Sequence, residues 1–95
     1  MIYRLKKTHT FRKAYKRLKK SGRFSDVEKL KHVVSILTNG IVLPFHYKDH
    51  QLTGRLLKYR ECHIKDDLLL IYSQNKNQLI LTLINIGSHS KLFKS

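Results

Sequence analysis

The stretch Leu68-Leu69-Leu70-Ile71-Tyr72, followed after a polar loop by Leu79-Ile80-Leu81, decides the fold. Both runs are apolar at consecutive positions, which is typical of strands that are buried on both faces. The loop between them, residues 73–77, has the polar sequence Ser-Gln-Asn-Lys-Asn and predicts a hairpin. We therefore expect two adjacent strands, residues 68–73 and 78–86, at the centre of a sheet.

Two helices are predicted upstream of these strands. The first has apolar residues at helical spacing, namely Phe11, Ala14, Tyr15 and Leu18. Thr8 or Thr10 is its expected N-cap, and Ser21-Gly22 ends it. The second is expected to begin with a capping box at residues 25–28 and to end at Asn39-Gly40. The few residues between the helices predict an αα-hairpin.

The complete element order is β-α-α-β-β-β, because an edge strand is expected at residues 2–6 and a further strand at residues 56–64, before the two central strands. This order predicts an α+β fold, an antiparallel sheet with the αα-hairpin packed on one face. The length of 95 residues suits a single domain over residues 1–95. The irregular, histidine-bearing segment between Pro44 and Thr53 is expected to be a functional loop.

The composition points to a polyanionic partner. Lys and Arg total 20 against six Asp and Glu, which gives a net charge of +14. No apolar run approaches the ~20 residues of a membrane span, and the first seven residues lack the apolar core of a signal peptide. A cytoplasmic protein without a membrane partner is therefore expected. The single cysteine, Cys62, excludes a disulfide framework and a cysteine-rich zinc site.

The charge is concentrated in the N-terminal third of the chain. Residues 1–31 contain 12 basic and two acidic residues, a net charge of +10. The outer face of the first predicted helix carries most of these cations: Arg12, Lys13, Lys16, Arg17, Lys19 and Lys20. This face predicts contact with an RNA backbone. A solvated basic surface without a partner is the alternative.

Polar clusters that could carry chemistry fall at the ends of the C-terminal strands. They are Lys48-Asp49-His50, residues 60–63, Asp66-Asp67 and Gly87-Ser88-His89. Imidazole titrates near neutrality, so a pair of histidines can supply both a base and an acid. RNA cleavage needs these two groups, together with a cation for the phosphate.

Strand alternation places Glu61 and His63 on one face of the strand predicted at residues 56–64 and Cys62 on the other. Cys62 is therefore interpreted as a core residue. Arg60 falls on the core side as well, which suits a charged residue only near a strand end. A zinc site built from His50, His63, His89 and Asp67 is chemically possible, but no closely spaced ligand pair favours it.

Three motifs resemble the YafQ-type branch of the RelE/ParE toxin superfamily. They are Tyr47-Lys48-Asp49-His50-x-Leu52-x-Gly54, Tyr59-Arg60-Glu61-Cys62-His63-Ile64-x-x-Asp67-x-Leu69-Leu70-Ile71-Tyr72, and Gly87-Ser88-His89-Ser90-x-Leu92-Phe93. The resemblance implies a RelE-like microbial ribonuclease fold. It also implies a toxin of a type II toxin–antitoxin module that cleaves mRNA in the ribosomal A site, with a cognate antitoxin as partner and no metal or cofactor.

The resemblance assigns functional positions to six residues of this chain: His50, Glu61, His63, Asp67, His89 and Phe93. Among them, His89 is the expected general acid, and either His50 or His63 is the general base.

Glu61 and Asp67 are expected to orient the imidazoles, and Phe93 to stack on a base. Lys48, Arg55 and Arg60 are candidates for phosphate contact. The rival interpretations are a basic RNA-binding module without catalysis, an independent ribonuclease and a metal hydrolase.

Overall fold

A computed structural model describes residues 2–93 of the chain. Its regular elements in chain order are strand β1 Arg4–Lys7, helix α1 His9–Lys20, helix α2 Phe24–Thr38, strand β2 His50–Gln51, strand β3 Arg60–Lys65, strand β4 Leu68–Asn75, strand β5 Ile80–Gly87 and helix α3 His89–Leu92. Single 3₁₀ turns at Phe45–Tyr47 and Gly54–Leu56 flank β2.

The strands form one five-stranded sheet in the order β1-β5-β4-β3-β2. The predicted α+β fold is confirmed. The sheet is mixed, however, because β1 runs parallel to β5, with Arg4 opposite Ile80 and Lys7 opposite Leu83. Two helices separate β1 from the rest of the sheet in sequence, so the chain can return to either edge in either direction. Apolar periodicity does not encode that choice.

Helix α1 begins as predicted. The Thr8 hydroxyl accepts a hydrogen bond from the amide of Phe11 at 3.0 Å and donates one to the carbonyl of Ile84 at 2.6 Å. Thr8 therefore caps the helix and also binds it to β5. Gly22 follows the helix with φ of 78°, a left-handed conformation that glycine adopts without strain.

Helix α2 differs from the prediction at its start. It begins at Phe24, and its N-cap residue Arg23 makes no side-chain capping bond. The predicted capping box at residues 25–28 is therefore wrong. Asp26 is instead buried, and its carboxylate pairs with Nζ of Lys65 in β3 at 2.9 Å. That distant partner could not be read from the local sequence.

The hydrophobic core lies between the helices and one face of the sheet. The helical side chains in it are Phe11, Ala14, Leu18, Val27, Leu30, Val33 and Leu37. The sheet contributes Leu70, Tyr72, Leu81 and Leu83 among others, and Cys62 lies there with no exposed surface. The interpretation of Cys62 as a core residue is confirmed. Its neighbours on β3 therefore face away from the helices.

Strand β3 starts at Arg60, later than the predicted residue 56, because Gly54–Leu56 forms a turn. The loop predicted before it contains the short edge strand β2, in which His50 lies opposite Glu61. This pairing adds β2 to the edge of the sheet and places His50 on the same face as Glu61. Within residues 2–93, no helix has the length and apolar character needed to cross a membrane.

Candidate active site

Three side chains meet on the open face of the sheet, where β2 pairs with β3. Oε1 of Glu61 lies 3.6 Å from Nε2 of His50 and 3.5 Å from Nε2 of His63. Strand alternation sets this arrangement, because residues 61 and 63 point to the same face and His50 is the cross-strand partner of Glu61. We call His50, Glu61 and His63 the inner group.

Glu61 is the buried centre of the inner group. Its side chain is only 5% exposed, whereas the side chains of His50 and His63 are 50% and 20% exposed. A buried carboxylate is unfavourable without a partner. The two imidazoles lie close enough to compensate its charge when protonated. The inner group can therefore take up a proton next to a fixed negative charge.

The backbone fixes the ring of His50. Its Nδ1 lies 2.7 Å from the carbonyl oxygen of Lys48. A carbonyl oxygen only accepts hydrogen bonds, so Nδ1 carries the hydrogen in this contact. In the neutral ring, Nε2 then holds a free lone pair beside Glu61. This is the nitrogen that a general base would use.

A second group of side chains lies where β5 ends. The backbone amide of His89 donates a hydrogen bond to Oδ1 of Asp67 at 3.1 Å, and Nδ1 of the same ring lies 3.5 Å from that oxygen. The ring of Phe93 lies 6.0 Å from the His89 ring, between centroids. We call Asp67, His89 and Phe93 the outer group. Asp67 thus binds the backbone of His89 and lies close to its ring.

The two groups form one continuous row. The rings of His63 and His89 are 5.9 Å apart between centroids and meet edge to face. The structure therefore brings together all six residues that the resemblance singled out: His50, Glu61, His63, Asp67, His89 and Phe93. Both exposed histidines of the row, His50 and His89, have one ring nitrogen next to a fixed acceptor.

The predicted phosphate-binding cations are divided between the two faces. Lys48 and Arg55 are exposed, in the loop segments on either side of β2. Arg60 is directed away from the histidines, and its Nη2 lies 3.1 Å from Oδ2 of Asp49. The hydrogen bond with Asp49 is the main cause that raises the pKa of Arg60. This placement speaks against the phosphate contact predicted for Arg60.

Asp49 and Tyr72 are residues whose contacts the sequence reasoning missed. Asp49 accepts hydrogen bonds from the guanidinium of Arg60 and from the hydroxyl of the fully buried Tyr72. Burial is the main cause that raises the pKa of Tyr72, so its hydroxyl remains a donor. The signal was present in the sequence, since Arg60 falls on the core side of its strand and therefore needs a partner there.

The cations predicted on α1 all lie on its exposed face: Arg12, Lys13, Lys16, Arg17, Lys19 and Lys20. A cleft of about 480 Å³ separates the C-terminal end of α1 from the outer group. Its lining includes Arg17, Arg23, Lys65, Lys91 and Asp67. The basic surface therefore extends from α1 to the edge of the histidine row.

The zinc site considered from the sequence can be compared with the arrangement of its four residues. Among residues 2–93, no group of three or more His, Cys, Asp or Glu side chains is arranged to hold a metal ion. The zinc ligands considered from the sequence fall in different groups, with His50 in the inner group and Asp67 in the outer group.

A comparison with protein families identifies the family of the chain that carries this row. Residues 3–94 match the family described as bacterial toxin of type II toxin–antitoxin system, YafQ. The chain belongs to the YafQ toxin family. The resemblance derived from the three sequence motifs is thereby confirmed.

Individual members of the YafQ family agree with this assignment. The mRNA interferase toxin YafQ of Escherichia coli K12 is 38% identical over 72 residues, which cover 75% of this chain and 76% of the relative. The E. coli DinJ–YafQ complex contains a chain that is 32% identical, with a TM-score of 0.84, over 96% of this chain and 98% of that one. A metal-bound toxin from Helicobacter pylori is 42% identical, with a TM-score of 0.87, over 98% of this chain and 100% of that one.

These matches also confirm the predicted enzyme class. The curated relatives are named mRNA interferases, which are endoribonucleases. The solved E. coli YafQ and H. pylori toxin structures share the fold over nearly the whole chain. The expectation of a type II toxin of the endoribonuclease class is therefore correct at the level of the family.

Proposed function

We propose that this chain is a ribosome-dependent endoribonuclease that cuts mRNA in the A site by acid–base catalysis without a metal ion. The observation that carries the proposal is the continuous row from His50 to Phe93. It combines an imidazole whose free nitrogen can accept a proton with a second imidazole held by a carboxylate. These are the two groups that RNA transesterification requires.

In the proposed reaction, Nε2 of His50 removes the proton of a ribose 2′-hydroxyl. The freed 2′-oxygen attacks the adjacent phosphorus, and the bond from phosphorus to the 5′-oxygen of the next nucleotide breaks. Protonated His89 donates its proton to that 5′-oxygen. The products carry a 2′,3′-cyclic phosphate and a 5′-hydroxyl. The hydrogen bond from Nδ1 to the Lys48 carbonyl favours His50 over His63 as the base.

The carboxylates act on the histidines and not on the RNA. Glu61 stabilises the imidazolium that forms when His50 takes up the proton, and Asp67 stabilises protonated His89 before it donates. His63 of the inner group shares the Glu61 carboxylate, and its ring contacts the His89 ring of the outer group. Phe93 offers an aromatic face beside His89, on which a nucleobase can stack.

Lys48 and Arg55 are the proposed contacts to the phosphate near the scissile bond. Both are exposed, and Lys48 lies two residues from His50. Arg60 is not retained in this role, because Asp49 occupies its guanidinium.

The distribution of charge supports dependence on the ribosome. Residues 1–31 carry a net charge of +10, whereas the histidine row lies entirely after residue 49. The exposed face of α1 suits the phosphate backbone of a large structured RNA. Binding there would hold the row against an mRNA already stretched in the A site, which supplies the orientation that catalysis needs.

Two partners follow from this proposal. The first is the translating ribosome with its mRNA, in the cytoplasm. The second is a cognate antitoxin, since E. coli YafQ has been solved in complex with DinJ. An acidic or amphipathic segment of the antitoxin would neutralise the basic surface and cover the row.

The test is cleavage of one mRNA, first naked and then on programmed ribosomes, with analysis of the fragment ends. We expect cleavage only on ribosomes, with 2′,3′-cyclic phosphate and 5′-hydroxyl ends. Equal cleavage of naked mRNA would contradict ribosome dependence. Because the H. pylori relative was solved with metal, a chelator selective for transition metals is added to assembled ribosomes while the magnesium concentration is held constant. Loss of cleavage on ribosomes that remain intact, or 3′-hydroxyl and 5′-phosphate ends, would indicate metal-activated water.

The contribution of α1 is tested in the same assay with Lys13, Lys16 and Lys20 all changed to Glu. We expect weaker ribosome binding and a log–log salt dependence that is shallower by about 0.7 to 0.9 for each phosphate that the variant no longer neutralises. Cleavage at saturating ribosome concentration should be unchanged, because no residue of the row is altered. Wild-type ribosome affinity in this variant would rule out α1 as the docking surface. RNA that is bound and protected without new ends would favour a binding module.

A further inference from the structure

Asp49 and His50 are adjacent in sequence, but their side chains lie on opposite faces of the sheet. At the edge of the sheet His50 lies opposite Glu61, and Gln51 lies opposite Arg60. Successive residues of an extended chain alternate between faces, so Asp49 points to the side of Arg60 and His50 to the side of Glu61. Any displacement of Asp49 therefore moves His50 as well.

Asp49 is held by two donors from two different strands. Nε and Nη2 of Arg60 donate to its two carboxylate oxygens, at 3.3 and 3.1 Å, in the paired geometry that makes Arg–carboxylate contacts strong. The hydroxyl of Tyr72 in β4 donates to Oδ1 as well. Because both Asp49 oxygens are occupied, this carboxylate is fixed against β3 and β4 at once.

The partners of Asp49 are themselves rigid. Tyr72 has no exposed surface and packs in the helix-side core, so its hydroxyl has one position. The side chain of Asp49 is 21% exposed and that of Arg60 is 35% exposed, which limits solvent competition for the ion pair. We call Asp49, Arg60 and Tyr72 the Asp49 cluster.

The segment between the cluster and the histidine row is short. Lys48 adopts a left-handed conformation with φ of 51°, unusual for a residue with a Cβ atom, and ends the 3₁₀ turn Phe45–Tyr47. Its carbonyl oxygen is the acceptor for Nδ1 of His50. Such a backbone conformation persists only where the surrounding contacts hold it. The residue that follows Lys48 is Asp49, and the bonds of Asp49 to Arg60 and Tyr72 are the contacts that hold this part of the backbone.

We propose that Asp49 is a positioning residue for catalysis: its bonds to Arg60 and Tyr72 hold the Lys48 carbonyl and the His50 ring in the arrangement that leaves Nε2 free to accept a proton beside Glu61. This inference rests on the proposed function only for its effect on cleavage. Its effect on the His50 ring can be measured in the free protein.

The first test uses Asp49→Asn, which keeps the shape of the side chain and removes its charge. We expect the maximal cleavage rate on ribosomes to fall about 10- to 100-fold, by analogy with the loss of groups that orient metal-binding histidines. The ribosome concentration for half-maximal rate should stay the same, since α1 is untouched. Glu28→Gln is the matched control, because it removes one carboxylate of an exposed ion pair with Lys31 and should leave cleavage at the wild-type rate.

A double-mutant cycle separates positioning from general loss of stability. If Asp49 acts through His50, then Asp49→Asn should cause no further loss in a His50→Ala background. Fully multiplicative losses in the double mutant would overturn the proposal. Tyr72→Phe removes only one hydroxyl from the Asp49 cluster, and a smaller loss with the same lack of additivity is expected. The Tyr72→Phe variant also replaces Asp49→Asn in this cycle if Asp49→Asn does not fold.

The second test is nitrogen NMR of the imidazole rings in the free protein at pH 7.5. In the wild type, we expect the neutral form of His50 to carry its hydrogen on Nδ1. In Asp49→Asn that preference should be lost at His50 and retained at His89, whose ring faces Asp67. An unchanged His50 signal would refute the positioning role, whatever the nuclease assay shows. A changed signal with no effect of His50→Ala on cleavage would refute the proposed catalytic base instead.

Discussion

The two halves of the histidine row differ in how they are held. The centre of the inner group is the Glu61 carboxylate, whose side chain is 5% exposed. The residues of this group lie on the paired strands β2 and β3. The outer group surrounds Asp67, whose side chain is 68% exposed, and its histidine lies on the four-residue helix α3. The inner group is therefore fixed by the sheet, whereas the outer group depends on a few contacts at the end of β5.

This difference fits a division of chemical work. A base that must receive a proton gains from a buried counter-charge, because the interaction is stronger where water is excluded. An acid that must reach a leaving group gains from an accessible position near the substrate. The predictions below test this division, beginning with the largest expected effect on cleavage.

The outer group should contain the residue with the greatest single effect. We expect His89→Ala to lower cleavage on ribosomes by about 10²- to 10⁴-fold, the usual cost of removing a general acid. The variant should fold normally, because the His89 side chain is more than half exposed. The rate is measured by primer extension on translated mRNA, and folding by circular dichroism.

The matched control for that experiment is His32→Ala, which removes an exposed histidine on α2, outside the row. It should cleave at the wild-type rate. A folded His89→Ala variant that also cleaves at that rate would show that the acid lies elsewhere and would leave the outer group without a chemical role.

The two carboxylates provide a direct comparison of the groups. Glu61→Gln and Asp67→Asn should each lower cleavage about 10- to 100-fold, the range for partners that orient a functional histidine. Only Glu61→Gln should also change the thermal stability, because it alters a buried site between two imidazoles. Thermal unfolding of both variants, measured beside the cleavage assay, checks this expectation. Equal changes in melting temperature would mean that the inner group is no more rigidly built than the outer group.

Cys62 lies directly between Glu61 and His63 in sequence, but its side chain faces the core. Its substitution therefore tests how core packing next to the inner group affects stability. Burial is the main cause that raises the pKa of its thiol well above 9.0. The unfolded chain loses that proton from about pH 9, whereas the folded chain keeps it. The thiol's contribution to stability is therefore complete below pH 9 and declines as the pH rises further.

The free energy of unfolding should consequently fall faster above pH 9 in the wild type than in Cys62→Ala, by up to about 1.4 kcal/mol for each pH unit. Cleavage at pH 7 should stay within about twofold of the wild-type rate, since the Cys62 side chain lies in the core and points away from the row. Chemical denaturation from pH 7 to 10.5 measures the difference. Identical slopes in the two proteins would show that the thiol already ionises in the folded state.

Much of this site could be predicted, because the relevant signal is local. Alternation along β3 was sufficient to place Glu61 and His63 together and Cys62 in the core. The apolar runs at residues 68–72 and 79–81 were sufficient to identify β4 and β5, although β4 extends into the predicted loop as far as Asn75 and Leu79 lies in the turn before β5. The helix ends at Gly22 and Gly40 agree with the residues that stop α1 and α2.

The features that could not be predicted depend on partners far away in the chain. Asp26 was expected to take part in a helix cap but pairs with Lys65, 39 positions later. Arg60 was expected at a phosphate, yet its charge is compensated by Asp49, which only the β2–β3 pairing brings within reach. Local propensity contains no information about such pairs.

The parallel contact between β1 and β5 has a consequence for the order of folding. The Thr8 hydroxyl and the Ile84 carbonyl are 76 positions apart, whereas β3, β4 and β5 are joined by short connections. Contacts between distant parts of a chain form slowly, because a long loop must be closed first. We therefore expect the three-stranded meander to form early and β1, with the helices, to complete the sheet late. A complete chain that refolds would hold Glu61 and His63 in place before its core is covered, and the nuclease would become competent only when folding is complete.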